Sequence, residues 1–343
     1  MTSPNASTAT SRTHRAPRVA LKGSTGSPFA RVLGFGSYRP RRRVDNEEMC
    51  RIIDSTPEWI EQRSGIIERR WASDDETLLY MCTEAGKMAM ERAGITGDQV
   101  GAVILATVTW PVRTPAGGPQ VAAALGANGA PAYDQSAGCA GFCYGLTQAE
   151  GLVRSGAAEY VVVIGADRLT DITDFQDRSS AFLLADGAGA AVVGPSDTPG
   201  MGPAVWGSDG EASGVMGMTP TADGSELKFH MQGRDVFKWA CTYVARQSAE
   251  MLEKAGIGPE DLDVFIPHQA NNRIIDAMMR TLRLPEHITV ARDIKYQGNT
   301  SSASVPLAIE RLYDDNLVES GQTALIMGFG AGLCYAGQVI QLP

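Results

Sequence analysis

Two stretches decide the fold: AMERAGITGDQVGAVILAT, Ala89 to Thr107, and MLEKAGIGPEDLDVFIPHQ, Met251 to Gln269. Each reads as the end of an amphipathic helix, a Gly-Ile joint and then a run of β-branched and aliphatic residues. Ala93-Gly94-Ile95 stands 162 residues before Ala255-Gly256-Ile257. A second pair, VVVIGADR (Val161 to Arg168) and LIMGFGAG (Leu325 to Gly332), sets Gly165 against Gly328 at an offset of 163. Glycine caps helices in any α/β protein, but two separate alignments at nearly one offset favour duplication of a ~160-residue unit.

Working outward, from Ala30 the chain alternates short β-branched runs with helical patterns, which is the signature of α/β architecture. Strands are expected at Ala30–Ser37, Val100–Thr107, Tyr160–Gly165, Ala188–Gly194, Asp263–Ile266, Ala324–Met327 and Gln338–Leu342. Helices are expected between them, among them Asp75–Ala93, Ala140–Gly156 and Val236–Ala255. The halves fall at 30–200 and 201–343, behind a tail over residues 1–29 that is rich in Ser, Thr, Ala, Pro and Arg. The tail's acid-free composition also suits an organelle transit peptide, but its prolines oppose an amphipathic helix and favour a plain disordered tail.

A chain of 343 residues exceeds one ordinary core, and 43% hydrophobic with 20% charged residues is normal for a soluble fold. No apolar run approaches the ~18 to 20 residues of a membrane span. The net charge of -9 is uneven: residues 1–44 hold nine Lys/Arg and no Asp or Glu, so the remainder is near -18. A body that acidic argues against a general nucleic-acid binder, whose affinity rests on neutralising phosphates. Any acidic partner must find a local basic patch. The six cysteines do not read as a disulfide framework and imply a reducing cytoplasm. Cys139 and Cys143 form a single CxxxC without a second Cys/His pair, so no metal site is expected.

Cys139 lies in AGCAGFCYG before a long helical pattern. Unpaired N–H groups and the helix dipole favour a thiolate there, and small neighbours leave room for a substrate. A buried structural cysteine is an equal alternative at this point, and Cys143, one turn further in, reads as that kind. His268 follows a buried strand in DVFIPHQANN, where α/β proteins present active-site groups, and Asn299 lies in the loop QGNTSSAS. A Cys at a helix start with a His and an Asn on separate loops makes a candidate nucleophile system.

The blocks PEWIEQRSGI (57–66), AGCAGF (137–142), DGAGAAVV (186–193), PHQANNRI (267–274), GNTSSASVP (298–306) and GFGAG (328–332) stand in a characteristic order and spacing. In these blocks the chain resembles the β-ketoacyl-acyl-carrier-protein synthase III family, from about residue 30 to the end. The resemblance implies a thiolase-like α/β fold, two similar halves in a five-layered αβαβα sandwich, usually a homodimer. It implies transfer of a primer acyl group from acyl-coenzyme A (acyl-CoA) to Cys139 and decarboxylative condensation with malonyl-ACP, the malonyl-loaded acyl carrier protein. The pathway served would be fatty-acid synthesis or priming of a type II polyketide. Both thioesters are substrates, and no metal, flavin or nicotinamide cofactor is required.

By the same resemblance His268 and Asn299 stabilise the enolate, and the backbone N–H groups of Cys139 and Ala331 form the oxyanion hole. Trp59 and Arg178 sandwich the adenine of coenzyme A, Arg63 bonds near the nucleotide, Asn271 holds the pantetheine amides and Gly233 allows close approach. Thr114, Leu184, Met231, Phe237 and Phe329 form the acyl pocket, and Lys238, Arg273 and Arg280 the patch for an acidic carrier protein. Arg273 and Arg280 lie seven apart in NNRIIDAMMRTLRL and share one helical face. The chain departs from acetyl-selective members where Thr114, on a segment reaching in from the partner subunit, and Leu184 replace phenylalanine. A primer larger or more branched than acetyl is therefore expected. Ser64, where threonine is frequent, keeps the hydroxyl. Competing readings are a Cys-His-Asn thioester hydrolase, a same-fold acyltransferase onto an alcohol or amine, and a dinucleotide- or partner-binding protein. The last lacks a full GxGxxG with an acid ~20 residues on.

Overall fold

The computed structural model describes Val19 and residues 21–343 with the exception of Ala222. The tail expected over residues 1–29 therefore lies mostly outside the described residues; 21–28 carry neither helix nor strand, and Phe29 opens the first strand. Ten strands form two sheets. The first contains β1 (Phe29–Tyr38), β2 (Val100–Ala106), β3 (Ala132–Gln135), β4 (Tyr160–Arg168) and β5 (Asp186–Ser196), in the order β1-β5-β4-β2-β3. The second contains β6 (Val205–Gly207), β7 (Val264–Pro267), β8 (Thr289–Val290), β9 (Thr323–Gly330) and β10 (Cys334–Gln341), in the order β6-β10-β9-β7-β8. Along both lists the pairings run antiparallel, antiparallel, parallel, parallel. One topology thus occurs twice, as the internal repeat predicts.

Seven helices build or flank the site: α1 (Pro57–Ser64), α2 (Leu78–Ala93), α3 (Gly141–Ser155), α4 (Gly233–Trp239), α5 (Ala245–Ala255), α6 (Asn272–Leu282) and α7 (Ser304–Asp314). Phe142 and Leu146 of α3 and Val305 and Ile309 of α7 share one buried cluster with Ile104 and Val163 of the first sheet and Ile266 and Ile326 of the second. Both helices are therefore sandwiched between the sheets. On the outside, α2 lays Met81, Ala85 and Ala89 against Val162 and Ile164. Met251 of α5 and Ile274 and Met278 of α6 cover Phe265 and Leu325. Helix, sheet, helix, sheet, helix is the five-layered arrangement of the thiolase-like fold. Strands covered on both faces read as unbroken apolar runs rather than alternating ones.

Gly165 and Gly328, aligned by the repeat, occupy matching places. A Cβ on Gly165 would stand 2.5 Å from the Ser302 carbonyl oxygen just ahead of α7, and one on Gly328 would stand 2.9 Å from the Ala140 Cα just ahead of α3. Each glycine lets the central helix of the other half begin against its strand.

Element boundaries differ from expectation where side-chain chemistry intervenes. The helix expected from Asp75 starts at Leu78, because the Thr77 hydroxyl accepts the Tyr80 N–H at 3.2 Å and caps it. The helix expected from Val236 starts at Gly233 and passes through a π-turn at Ala240–Val244. The antiparallel strand pair Arg42–Asp45 with Glu68–Trp71 was not expected, since RRVD and ERRW lack apolar alternation. It is held by the fully buried Arg69, which donates to the carbonyls of Val44 and Asp45, both at 3.0 Å, and to Asn46 Oδ1 at 2.8 Å.

Candidate active site

A cavity of about 490 Å³ opens where the two halves meet, and Cys139, His268 and Asn299 all line it. Cys139 sits in a single 3-10 turn, Gly138–Ala140, that runs directly into α3. The turn is pressed against the end of β9: a Cβ on Gly330 would lie 2.7 Å from the Cys139 backbone nitrogen, 2.9 Å from its Cβ and 3.1 Å from its Sγ. Gly138 has φ +53, and a Cβ there would meet the Ala331 nitrogen at 2.9 Å. Only glycine at both places permits the backbone N–H groups of Cys139 and Ala331 to sit beside the thiol. Burial pushes the Cys139 thiol up to about 12, the Ser301 hydroxyl opposing it.

His268 directly follows β7 and is 2% exposed. Its backbone N–H donates to the Met327 carbonyl at 2.6 Å, and the Phe329 ring meets the imidazole edge-on with centroids 5.2 Å apart. Burial pushes its pKa down to about 3, so the ring is neutral at ordinary pH. Nδ1 lies 2.6 Å from Ser304 Oγ, and that oxygen accepts the Gln269 N–H at 3.3 Å. Nδ1 is thus held by the Ser304 hydroxyl, and Nε2 is the ring nitrogen without a protein partner among the described residues.

Asn299 follows Gly298, whose φ of +74 turns the chain into the site. Its backbone makes a strand-like bridge with the segment around Leu184: Asn299 N–H to Leu183 O and Ala185 N–H to Asn299 O, both at 2.8 Å. Its Oδ1 accepts the Ser301 N–H at 2.9 Å, so the amide NH2 is the side facing the cavity. Cys139, the neutral His268 ring, Asn299 and Ala331 thus line the same cavity. Such a set stabilises negative charge on a substrate oxygen.

At the mouth, Trp59 of α1 lies 5.5 Å from the Arg63 guanidinium carbon and 5.7 Å from that of Arg178, with Phe182 edge-on at 5.3 Å. Trp59 and Arg63 line the cavity; Arg178 does not, and its guanidinium also pairs with Asp54 at 3.1 Å. Asn271 caps α6 by accepting the Arg273 N–H at 2.9 Å and donates to the Arg63 carbonyl at 3.0 Å, fastening α6 to α1. Gly233 lines the cavity with open space beside it, Met231 Cε being its nearest neighbour at 3.9 Å. Leu184, Met231, Phe237 and Phe329 are in the wall. Thr114 is not: it is exposed on the segment before the cis Pro115, so one chain builds the cavity without it.

Lys238, Arg273 and Arg280 are exposed beside the mouth, and none is in an ion pair among the described residues. Arg273 stacks on Phe237 at 5.7 Å, and burial pushes the nearby Cys241 thiol up, with Arg280 and Arg273 opposing it. Cys143 is 2% exposed and pushed up to about 12 by burial, as a packing cysteine should be. Ser301, which lines the cavity, and Ser304, which holds His268 Nδ1, are residues of the site that the sequence reading missed. The hydroxyl-rich run Thr300 to Ser304 was the available signal.

Family models for 3-oxoacyl-[acyl-carrier-protein] synthase III match residues 133–210, and for its C-terminal part residues 252–342. A β-ketoacyl-[acyl-carrier-protein] synthase III of Streptomyces glaucescens is 53% identical, covering 94% of this chain and 99% of that protein. One from Streptomyces avermitilis is 51% identical over the same shares. Among solved structures, a priming β-ketosynthase from a polyketide biosynthetic pathway superposes with a TM-score of 0.91 at 47% identity, over 95% of this chain and 99% of that one. The corresponding synthase III of Aquifex aeolicus gives 0.85 at 36% identity, over 91% and 99%. A cysteine, a histidine and an asparagine lining one cavity of a duplicated α/β sandwich and relatedness along nearly the whole chain point the same way: the chain belongs to the 3-oxoacyl-[acyl-carrier-protein] synthase III family.

Proposed function

We propose that this chain is a β-ketoacyl-ACP synthase III that loads a primer acyl group from acyl-CoA onto Cys139 and condenses it with malonyl-ACP. The observation that supports the reading is one cavity lined by Cys139, the neutral His268 ring, Asn299 and Ala331, with Gly138 and Gly330 pressed against the cysteine turn. Attack by the Cys139 sulfur puts charge on the thioester oxygen, which the N–H groups of Cys139 and Ala331 hold. Loss of carbon dioxide from the malonyl thioester then leaves an enolate, whose oxygen takes bonds from His268 Nε2–H and the Asn299 amide. An oxyanion-hole donor of this kind contributes ~3 to 4 kcal/mol. Neither step changes an oxidation state that a redox cofactor would have to balance.

Trp59 with Arg63 and Arg178 would hold the adenine end of coenzyme A by stacking and cation–π attraction. Asn271 and Gly233 would line the pantetheine arm, and Lys238, Arg273 and Arg280 would receive the acidic carrier. Leu184, smaller than phenylalanine, would leave room for a primer longer or more branched than acetyl. Val108 and Val112 are exposed apolar residues on the segment that carries Thr114, which suits a homodimer whose partner covers it; sedimentation at one-chain mass would oppose this. The units would be two halves, 30–200 and 201–343, in a cytoplasmic enzyme of fatty-acid or polyketide initiation.

The decisive experiment offers acetyl-, isobutyryl- and hexanoyl-CoA with malonyl-ACP and weighs enzyme and carrier by mass spectrometry. Acylation lost in Cys139→Ala, a β-ketoacyl carrier product and higher kcat/KM for the larger primers are expected. Acyl-enzyme that only hydrolyses would reject condensation, and acetyl preference would reject the open pocket.

A further inference from the structure

The decarboxylation proposed above needs two hydrogen donors at the enolate oxygen, and each comes from a side chain that also contains an acceptor. An asparagine can turn its carbonyl toward a substrate, and a neutral imidazole can carry its hydrogen on either nitrogen. The surrounding structure must therefore decide which end of each group faces the cavity. For Asn299 the deciding group is the Ser301 N–H, which occupies Oδ1 at 2.9 Å. For His268 it lies three residues further on.

Ser304 is the first residue of α7 and is 1% exposed. Its backbone N–H closes the 3-10 turn Ser301–Ala303 by donating to the Ser301 carbonyl, so its hydroxyl is carried on a fixed backbone. Oγ stands 2.6 Å from His268 Nδ1 and 3.3 Å from the Gln269 backbone nitrogen. The hydrogens can be placed in two ways, and the two are not equivalent. With hydrogen on Nδ1, Oγ would accept from both Nδ1 and Gln269, and its own hydrogen would meet no acceptor among the described residues. A buried hydroxyl left with an unpartnered hydrogen carries the full penalty of its lost hydration. With Nδ1 bare, the hydroxyl donates to it, accepts from Gln269 and is satisfied on both sides. Phe329, edge-on to the same ring at 5.2 Å, offers no competing donor or acceptor.

We propose that Ser304 is a positioning residue that fixes His268 as the tautomer with hydrogen on Nε2 and aims that N–H into the cavity. The use of that N–H rests on the proposed function; the place of the hydrogen does not. The segment Ser301 to Ser304 then sets both donors at once. A backbone N–H occupies the acceptor of Asn299, a hydroxyl occupies that of His268, and the N–H groups left over face the cavity that both residues line. Acyl loading, which uses the backbone N–H groups of Cys139 and Ala331, does not pass through Ser304.

The chain has four histidines, so enzyme carrying nitrogen-15 histidine gives few ring signals in nuclear magnetic resonance, and the pair missing from His268→Gln belongs to His268. Shifts and two-bond couplings in the wild type should place the hydrogen on Nε2 and show Nδ1 bare and hydrogen-bonded. Hydrogen on Nδ1 would overturn the proposal. In Ser304→Ala the Nδ1 signal should move toward that of an unbonded ring nitrogen, and malonyl-ACP decarboxylation by enzyme already acylated should slow roughly 100-fold. Loading of Cys139 by isobutyryl-CoA, followed by intact mass, should slow far less, and Ser304→Thr, which keeps the hydroxyl, should hold the wild-type tautomer. Equal slowing of both half-reactions in Ser304→Ala would reduce Ser304 to a packing residue. Should Ser304→Ala not fold, the wild-type and Ser304→Thr spectra still decide. Wild-type enzyme that bears the Nε2 hydrogen and is acylated but never condenses would overturn the proposed function while leaving the tautomer assignment in place.

Discussion

At the scale of single residues, the site is built from groups made neutral by burial. His268 illustrates the consequence for stability. Its folded pKa, about 3, lies below the ordinary 6.5, so the unfolded chain binds a proton that the folded chain refuses. Stability from this group is fully present above 6.5 and is lost as pH falls toward 3. Between neutral pH and about pH 5 the loss should be on the order of 2 kcal/mol. Urea midpoints should therefore fall less steeply with acidification in His268→Gln than in wild type; equal slopes would assign the acid sensitivity elsewhere. Cys139, His268 and Asn299 were legible in the sequence because each lies beside a strand or helix end in a small-residue context. Ser304 was not, since a hydroxyl bonded to Nδ1 is made by tertiary contact alone.

At the scale of elements, the 3-10 turn of Cys139 and the end of β9 act as one piece because Gly330 has no side chain. A Cβ there would overlap the Cys139 nitrogen and sulfur, and no flexible side chain stands in the way to yield. Gly330→Ala should cost about 1 to 3 kcal/mol in stability. It should also lower kcat/KM for loading by roughly 100-fold through the displaced N–H donor, with KM for malonyl-ACP nearly unchanged. Thermal melts and steady-state kinetics read both, and an intact loading rate would show the turn to be tolerant. Helices and strands with regular apolar periods were readable to within a few residues. The Arg42–Asp45 and Glu68–Trp71 strand pair was not, because the side chain buried beneath it is an arginine satisfied by carbonyls.

Over the whole molecule, the duplication visible in two sequence alignments became two sheets of one topology, and the site formed where they meet. Charge at this scale is also uneven, -9 overall with a basic N-terminal stretch, and Lys238, Arg273 and Arg280 stand together on the acidic body. Long-range attraction of an acidic carrier should then depend on them. Arg273→Glu with Arg280→Glu should raise KM for malonyl-ACP at least tenfold, roughly 1.4 kcal/mol, while added salt weakens the wild type toward the variant. KM for acyl-CoA rising by the same factor would count against a carrier patch. The bridge between Leu184 and Asn299 joins the two halves across the site. On the proposed function, the side chain placed to gauge primer size and the one placed to meet the later enolate are two points on the same short ribbon. A bulky primer leaning on Leu184 would then lean on Asn299 as well, and the chain length admitted in the first step would be felt again in the second.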